Sequence, residues 1–375
     1  MIPIVNPTLL EWDAVIADFR QAWDSGQVTT GQFTRRFEAG AEKRLGVPHA
    51  VLVQSCTAGL MLVLRALELQ GEVIMPAFTW TATAHAAVWN GLTPVFADIQ
   101  PDSYTLDPEK VVAAITPKTA AIMPVNVFGC PPDYAAFAEI GRTSNLPVVY
   151  DSAQGLGSKY LSGAEGWRFS GNFGVAEVFS MSPTKVISAM EAGLITTHQP
   201  ELAQKLRQMR DYGKTPDGED IAWLGLSARV PEINAIVAYH NFTHMDELID
   251  RRKELIRIYR ERLSDISGLK FQEMPGDRQS SGNYFTLFIN PEEACGTRDT
   301  IYQGLKERQI QAKKYFFPAL HLQKVYQTSG LPYLGKLPIT EKAALSGLAL
   351  PLFSHMETDM VLHVVNEVRS ILQKS

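Results

Sequence analysis

The chain is poor in cysteine, has no excess of positive charge and carries no long apolar run. Three cysteines occur among 375 residues. Cys56, Cys130 and Cys295 lie far apart, their odd number cannot pair off completely, and no Cys-x-x-Cys or Cys/His cluster accompanies them. Neither a disulfide framework nor a metal site is expected, and a reducing compartment fits best. Lysine and arginine number 35 against 40 aspartates and glutamates, a formal net charge of −5. That lacks the basic stripe of a nucleic-acid binder. No apolar stretch approaches the roughly 20 residues of a membrane span. The opening MIPIVNPTLLEWD has neither the basic n-region nor the continuous apolar core of a signal peptide. A soluble cytoplasmic protein without nucleic-acid or membrane partners is the expectation.

The length gives a soft prior of about 2.5 domains. Internal repeats, low-complexity tracts and long linkers are absent. From residue 47 to 197 short apolar runs alternate with helical patterns such as Leu60, Leu64 and Leu67 at i, i+4, i+7. The runs are HAVLVQ (49–54), EVIMP (72–76), TPVFADI (93–99), AAIMPV (120–125), PVVYD (147–151), AEVFS (176–180) and GLITT (193–197). This alternation predicts an α/β fold: a mostly parallel sheet covered on both faces, in three α/β/α layers. After about residue 230 the character changes. One long helix or a kinked pair over 231–263, a strand at 283–289, a helix near 297–308, a loop-rich stretch near 315–340 and a final helix from about 357 predict a smaller α+β unit. The chain therefore divides into a large cofactor domain, 1–245, and a small C-terminal domain, 246–375.

Four motifs are spelled out without their context. Gly155-Leu-Gly157-Ser-Lys-Tyr160 has tyrosine at the third glycine of a dinucleotide fingerprint and no clear helix after it. Gly213-Lys214-Thr215 ends like a phosphate-binding loop, but Gln208 stands at its first glycine. His240 and His244 lack the glutamate of a zinc-protease helix. Asn241-Phe-Thr243 is a glycosylation sequon by spelling only.

Four other features fall where strands should end, which is where ligands bind in open α/β sheets. Ser55-Cys56-Thr57-Ala58-Gly59 follows the first run and opens a helix, so its backbone N–H groups and the Thr57 hydroxyl suit an anion, or else a plain helix cap. Pro76-Ala-Phe78-Thr79-Trp80 places aromatics past a strand end, as core or as a flat wall for a planar ligand. Asp151-Ser-Ala-Gln154 ends a buried strand in a carboxylate that needs a cationic partner. A protonated pyridine nitrogen is such a partner, and Gln154 could donate to a nearby ring oxygen. Ser180-Met-Ser182-Pro-Thr184-Lys185 sets a partly desolvated lysine, suited to Schiff-base chemistry, after an apolar strand whose terminal Ser180 could hold a phosphate oxygen. Together these supply the phosphate cradle, stacking wall, ring-nitrogen carboxylate and lysine that pyridoxal 5'-phosphate requires.

The sequence resembles the DegT/DnrJ/EryC1/StrS group of sugar aminotransferases, of the aspartate-aminotransferase (type I) fold. The resemblance runs over nearly the whole chain. It is carried by Thr29-Thr30-Gly31 with Phe37-Glu38, by TPVFADIQPDSYTLDPEKVVAAITPKTAAIMPV (93–125), DSAQGLGSKY (151–160), GNFGVAEVFSMSPTK (171–185), RDYG (210–213) and YFFPALHLQ (315–323). It implies that Lys185 binds the cofactor covalently and moves protons, that Asp151 keeps the ring nitrogen protonated, and that Trp80 stacks on the ring. Gln154 would contact the phenolic oxygen, and Thr57, Ala58 and Ser180 the phosphate. It also implies a homodimer with shared sites, the GLSAR segment (225–229) reaching the partner's cofactor. Three positions depart from the family pattern. Ser227 stands where asparagine is common, Ala192-Gly193 where two glycines follow the glutamate, and Asn126 where histidine is frequent near the substrate. Relatives with histidine at the lysine position act as dehydratases, and Lys185 argues against that variant. The resemblance implies transfer of an amino group, with glutamate as donor, to a nucleotide-linked keto-sugar. The YFFPALH segment favours C4 of a dTDP-linked 6-deoxyhexose over C3. Asn126, Arg229, Lys313, Lys314 and His321 are the candidates for holding substrate. A cyclitol or other ketone as acceptor, and a non-catalytic cofactor-binding regulator, are the competing readings.

Overall fold

The computed structural model describes residues 1–9, 11–327 and 333–373, so part of the loop-rich stretch expected near 315–340 lies outside the described residues. All seven apolar runs form strands: β1 His49–Val53, β2 Glu72–Pro76, β3 Thr93–Ala97, β4 Thr119–Ile122, β5 Val149–Asp151, β6 Ala176–Ser180 and β7 Gly193–Thr197. β3, β2 and β4 pair in parallel. Parallel bridges Ile122–Val148 and Val125–Asp151 join β4 to β5. β5 pairs in parallel with β6, and β7 runs antiparallel between β6 and β1. The spatial order is thus β3-β2-β4-β5-β6-β7-β1, parallel except for β7.

Alternate residues of each strand point to opposite layers. Val51, Val73, Met75, Ala121, Val149, Val178 and Ile195 pack against helices Cys56–Ala66, Ala82–Trp89 and Pro200–Met209. On the other face Leu52, Phe179 and Leu194 meet helices Gln32–Leu45 and Glu232–Thr243, while Ile74, Ile122 and Tyr150 meet Pro108–Ala114 and Tyr134–Ser144. Burial on both sides is why these strands read as continuous apolar runs.

β1 lies at the end of the sheet, and side chains close its free edge. Glu38 accepts from Leu52 N at 2.8 Å, and Arg210, 2.6 Å from Glu38, donates to Leu52 O at 2.6 Å. Glu42 and Arg207 repeat the arrangement at Ala50. The Phe37-Glu38 and RDYG motifs are therefore one buried edge clamp, which also denies the strand to other chains.

The expected long helix is a kinked pair, Glu232–Thr243 and Met245–Leu263, broken at His244. Beyond it an antiparallel sheet of Leu269–Phe271, Phe285–Ile289 and Gly347–Leu350 packs with helices Arg298–Glu307 and Thr358–Gln373 around Leu255, Leu287, Ile301, Leu348 and Val365. An aromatic seam of Phe78, Tyr104, Phe128, Phe288 and Phe316 joins this sheet to the large one. The three cysteines are free thiols, and no helix among the described residues is long and apolar enough to cross a membrane.

The register pairs Gly193 with both Val53 and Ser180, which wedges it between the ends of β1 and β6. A Cβ there would lie 2.4 Å from the Ser55 carbonyl carbon and 2.6 Å from Cys56 N. Ala192 before it is buried among apolar neighbours, so only the second glycine of the family pair is sterically required here. Gly193→Ala should cost about 2–3 kcal/mol, read by urea unfolding, whereas Ala192→Gly should cost less than about 1 kcal/mol.

Candidate active site

The ends of β1, β2, β5 and β6 and the start of β7 meet at one edge of the sheet, where a cavity opens. Its walls include Ser55, Cys56 and Thr57 after β1, Thr79 and Trp80 after β2, Asn126 after β4, and Asp151 and Gln154 at β5. Ser180, Ser182, Lys185 and Glu191 come from β6 and the loop after it, and Tyr284, Lys313 and Tyr315 from the C-terminal part.

Asp151 is 3% exposed. Oδ2 accepts from Thr83 Oγ1 at 2.6 Å, Oδ1 accepts from Ala153 N at 3.1 Å, and Cys56 Sγ stands 3.9 Å away. Burial raises its carboxyl above the usual range, while Thr83, Ala153 and the charge of Lys185 pull it back. Thr83 belongs to the helix after β2 and is itself fixed by Thr79 at 3.0 Å. No motif singles Thr83 out. The only signal was that a buried carboxylate must find donors.

The Ser55 side chain caps helix Cys56–Ala66 by accepting from Ala58 N at 3.1 Å. The plain-cap reading therefore holds for Ala58 N, at a helix start that also borders the cavity. Of the two aromatics after β2, Phe78 is core and Trp80 is 55% exposed at the cavity. Lys185 is half-buried, and its Nζ lies 5.8 Å from the Tyr284 ring centre. Burial works to raise the Tyr284 phenol, but Lys185, hydrogen bonds from Thr184 and Tyr315, and Lys313 outweigh it and lower the pKa. Lys313 Nζ lies 5.1 Å from the Trp80 ring centre and 4.7 Å from that of Tyr315. Sequence reasoning missed Tyr284 because it sits a hundred residues beyond the lysine it faces, inside an apolar strand pattern.

Gln154 Oε1 accepts from Phe128 N at 2.6 Å, so its amide nitrogen is the end left to donate. Asn126 is fully buried and bonds through Nδ2 to Tyr134 and Ser152, while its buried Oδ1 has no hydrogen-bond partner among the described residues.

Four candidates lie elsewhere in this chain. His321 has a fully buried side chain, its Nε2 3.2 Å from Glu341 and its ring against Phe96, and burial lowers its pKa despite Glu341. Lys314, next to Lys313 but facing the other way, pairs with Asp299 at 2.8 Å. Arg229 pairs with Asp211 at 3.2 Å, and Ser227 is exposed outside the cavity. The unsupported motifs resolve locally. Gly155–Tyr160 runs through turns into a strand, and Gly213-Lys-Thr is a loop. His240 pairs with Asp18 and His244 with Glu247, while Asn241 is buried and donates to Ser188 O at 2.7 Å.

A mostly parallel sheet with a lysine and a buried aspartate sharing one cavity at its edge is an aminotransferase architecture. The chain belongs to the DegT/DnrJ/EryC1/StrS aminotransferase family, whose model matches residues 11–369. It is 30% identical over 369 residues to a dTDP-4-amino-4,6-dideoxy-D-glucose transaminase of Shigella dysenteriae, covering 98% of each chain. The solved structure of DesI in the presence of its TDP-sugar product superposes with a TM-score of 0.92 at 32% identity, over 100% of this chain and 93% of that one. The PLP-form of Spr1654 from Streptococcus pneumoniae, assigned as a sugar aminotransferase, matches with a TM-score of 0.91 at 25% identity, over 100% of this chain and 99% of that one.

Thr83→Val should destabilise the protein by about 2 kcal/mol near neutral pH. The Thr83 bond favours ionised Asp151, so the cost should shrink as pH falls through the Asp151 midpoint and the carboxyl protonates. Urea unfolding of both proteins across pH checks this, and Thr83→Ser should behave as wild type.

Proposed function

We propose that the protein is a pyridoxal-phosphate-dependent aminotransferase that converts a nucleotide-linked keto-sugar, a dTDP-4-keto-6-deoxyhexose, into the amino-sugar with glutamate as donor. The observation that carries the reading is that Lys185 and the buried Asp151 share one cavity. Its donor set fits that cofactor. Among the described residues Asp151 is a buried carboxylate with no cation bonded to it and Gln154 keeps an amide donor unused, while Trp80 offers an exposed flat ring. Thr57 and Ser180 flank a helix start suited to a phosphate, and Ala58, whose N–H the Ser55 side chain caps, would have to exchange that bond to join them. Pyridoxal phosphate, when bound, supplies an electron sink for the carbanion formed at the amine-bearing carbon. Lys185 would hold the cofactor, and its Nζ would be the group that takes the proton from that carbon and returns it on the other side of the exchange. Asp151 would keep a proton on the ring nitrogen through a charge-assisted hydrogen bond, its oxygens oriented by Thr83 and Ala153. Tyr284 keeps a polar phenol beside the Lys185 amine.

The keto-sugar is supported by the Shigella relative and by DesI, both named for dTDP- or TDP-sugars. Lys313 has no carboxylate partner among the described residues and sits over two rings at the cavity, so it is the cation best placed for a diphosphate. Arg229, Ser227, Lys314 and His321 do not reach this cavity. The exposed Ser227 suits service to the cavity of a second copy, as a homodimer with shared sites requires. The division into 1–245 and 246–375 puts the boundary just past the break at His244, with Tyr284, Lys313 and Tyr315 closing the cavity from the second part. A cytoplasmic location belongs to the same reading and is supported by the three free thiols, which suit a reducing compartment.

Protein loaded with pyridoxal phosphate should show a visible absorption band that glutamate shifts and borohydride removes, marking Lys185. Lys185→Ala should lose that response and about a thousandfold or more in turnover. Asp151→Asn should lose about a hundredfold or more in kcat. Mass spectrometry with dTDP- and UDP-keto-sugars identifies the acceptor. A band that no amino donor shifts would leave a non-catalytic regulator instead.

A further inference from the structure

Lys185 stands on a stretch with no helix or strand of its own, between the end of β6 at Ser180 and the start of β7 at Gly193. Where its amine stands therefore depends on what ties that loop down. The loop's own backbone supplies two bonds, Lys185 N to Ser182 O at 3.0 Å and Ala189 N to Met181 O at 2.8 Å. Val186 and Ile187 are buried, but apolar packing is non-directional and leaves the turn of the backbone open. Asparagine side chains supply direction. Asn234 donates to Glu191 O at 2.8 Å and Asn241 to Ser188 O at 2.7 Å, both from helix Glu232–Thr243. Asn283, from the C-terminal part, accepts from Val186 N at 3.3 Å. That bond falls on the residue directly after the lysine.

Asn283 is 1% exposed, and its Nδ2 is buried without a hydrogen-bond partner among the described residues. A buried amide with an idle donor is less stable than an apolar side chain of similar size. The position makes physical sense through its oxygen. What holds that oxygen in place is a buried cation. Arg252, on helix Met245–Leu263, is fully buried and has no carboxylate partner among the described residues. It donates to Asn283 O at 3.1 Å, to Ser354 Oγ at 2.8 Å and, at 3.5 Å each, to Gly282 O and Leu352 O. Gly282, at φ +69°, lets the segment close on that helix, since a Cβ there would lie 3.2 Å from the Cβ of Arg252. Tyr284, next in sequence, lines the cavity, and the Thr184 hydroxyl bonds to its phenol. Asn283 and Tyr284 thus take hold of the residues on either side of Lys185.

We propose that Asn283 is a positioning residue for Lys185: gripped by the buried Arg252, its amide oxygen fixes the backbone just after the lysine and so sets where the amine stands in the cavity. Asn283 is not itself among the residues lining that cavity. The proposal rests on the reading of Lys185 as the reacting amine. The hydrogen bonds behind it do not.

The test compares wild type, Asn283→Leu, Asn283→Asp, Arg252→Lys and the Asn283→Leu/Arg252→Lys double variant. Hydrogen exchange of the full chain without cofactor, read by mass spectrometry on peptides covering 181–192, needs no turnover. Asn283→Leu should exchange there about tenfold faster, while peptides from helix Thr358–Gln373 keep wild-type rates. Each variant is then loaded with cofactor and mixed with the amino donor that wild type uses best, and the change of the visible band is followed over a single turnover. Asn283→Leu should lose about thirty- to a hundredfold in that rate, with the half-saturating donor concentration within about twofold of wild type. Asn283→Asp keeps an oxygen at the same place and should recover most of the loss. Arg252→Lys should lose about fivefold alone and nothing further in the Asn283→Leu background. Should Asn283→Leu not fold, Asn283→Ala gives the same comparison. Unchanged exchange over 181–192, a wild-type rate in Asn283→Leu, an Asn283→Asp as slow as Asn283→Leu, or losses of the two substitutions that multiply would each overturn the proposal. Failure of the Lys185 reading would show separately, as wild-type protein whose cofactor borohydride does not fix to Lys185, while the exchange measurement still decides the clamp.

Discussion

Asp151 gives up its water at the end of β5, and the groups that replace that water come from separate parts of the chain. An unpaired carboxylate buried in this way would cost several kcal/mol. Thr83 arrives from the helix after β2, Cys56 from the helix after β1, and Ala153 from the turn that follows the strand itself. Each of those segments is placed by the sheet. Parallel pairing puts the strand ends on one edge, and the order β4-β5-β6 sets Asp151 at its middle. The same edge holds the Lys185 loop, because β7 returns antiparallel and starts beside β1. Fold and cavity are thus one arrangement: solvating a single buried charge requires the crossovers to be where they are.

The sheet was readable from composition along the chain because burial on both faces demands uninterrupted apolar strands. β2, β6 and β7 match their apolar runs residue for residue, and the others end within a few residues of theirs. Some strand ends were equally readable, since β1, β5 and β6 close on or just before a small polar or charged residue. Asp151, Ser180 and Ser55 are visible in sequence for that reason. Trp80 and Phe78 could be separated only by the structure, because two aromatics after a strand look alike until one meets Tyr104 and Phe316.

Partnerships across the fold left no local trace. Glu38 and Arg210 belong to different motifs, and their common task at the edge of β1 depends on pairing that neither stretch encodes by itself. Lys313 and Lys314 are identical to a sequence reader. Neighbouring residues on an extended segment point to opposite sides, so one amine reaches Trp80 and the other reaches Asp299. His321 looks available for a ligand in YFFPALH, yet helix Pro338–Ser346 brings Glu341 to it and the core closes over the ring.

Net charge proved a poor guide to local electrostatics. A chain with five more acidic than basic residues concentrates two amines, Lys185 and Lys313, around one cavity, and sets two phenols between them. The paired tyrosine hydroxyls, 3.4 Å apart, respond oppositely: Lys185 and Lys313 help lower Tyr284, while Tyr315 is raised by burial and by its neighbour. Two identical groups therefore titrate apart because Tyr284 accepts hydrogen bonds and feels both amines, whereas Tyr315 donates its proton to Tyr284. The same principle separates two of the buried carboxylates, Asp151 and Glu177. Asp151 faces a cavity with Lys185 beside it. Glu177, in the middle of β6, stands one strand away and is held by hydrogen bonds from Gly171, Phe173, Ser152 and Tyr134, with no ion pair among the described residues. A carboxylate of the first kind suits holding a proton on a ligand, and one of the second kind suits ordering the dipoles around it.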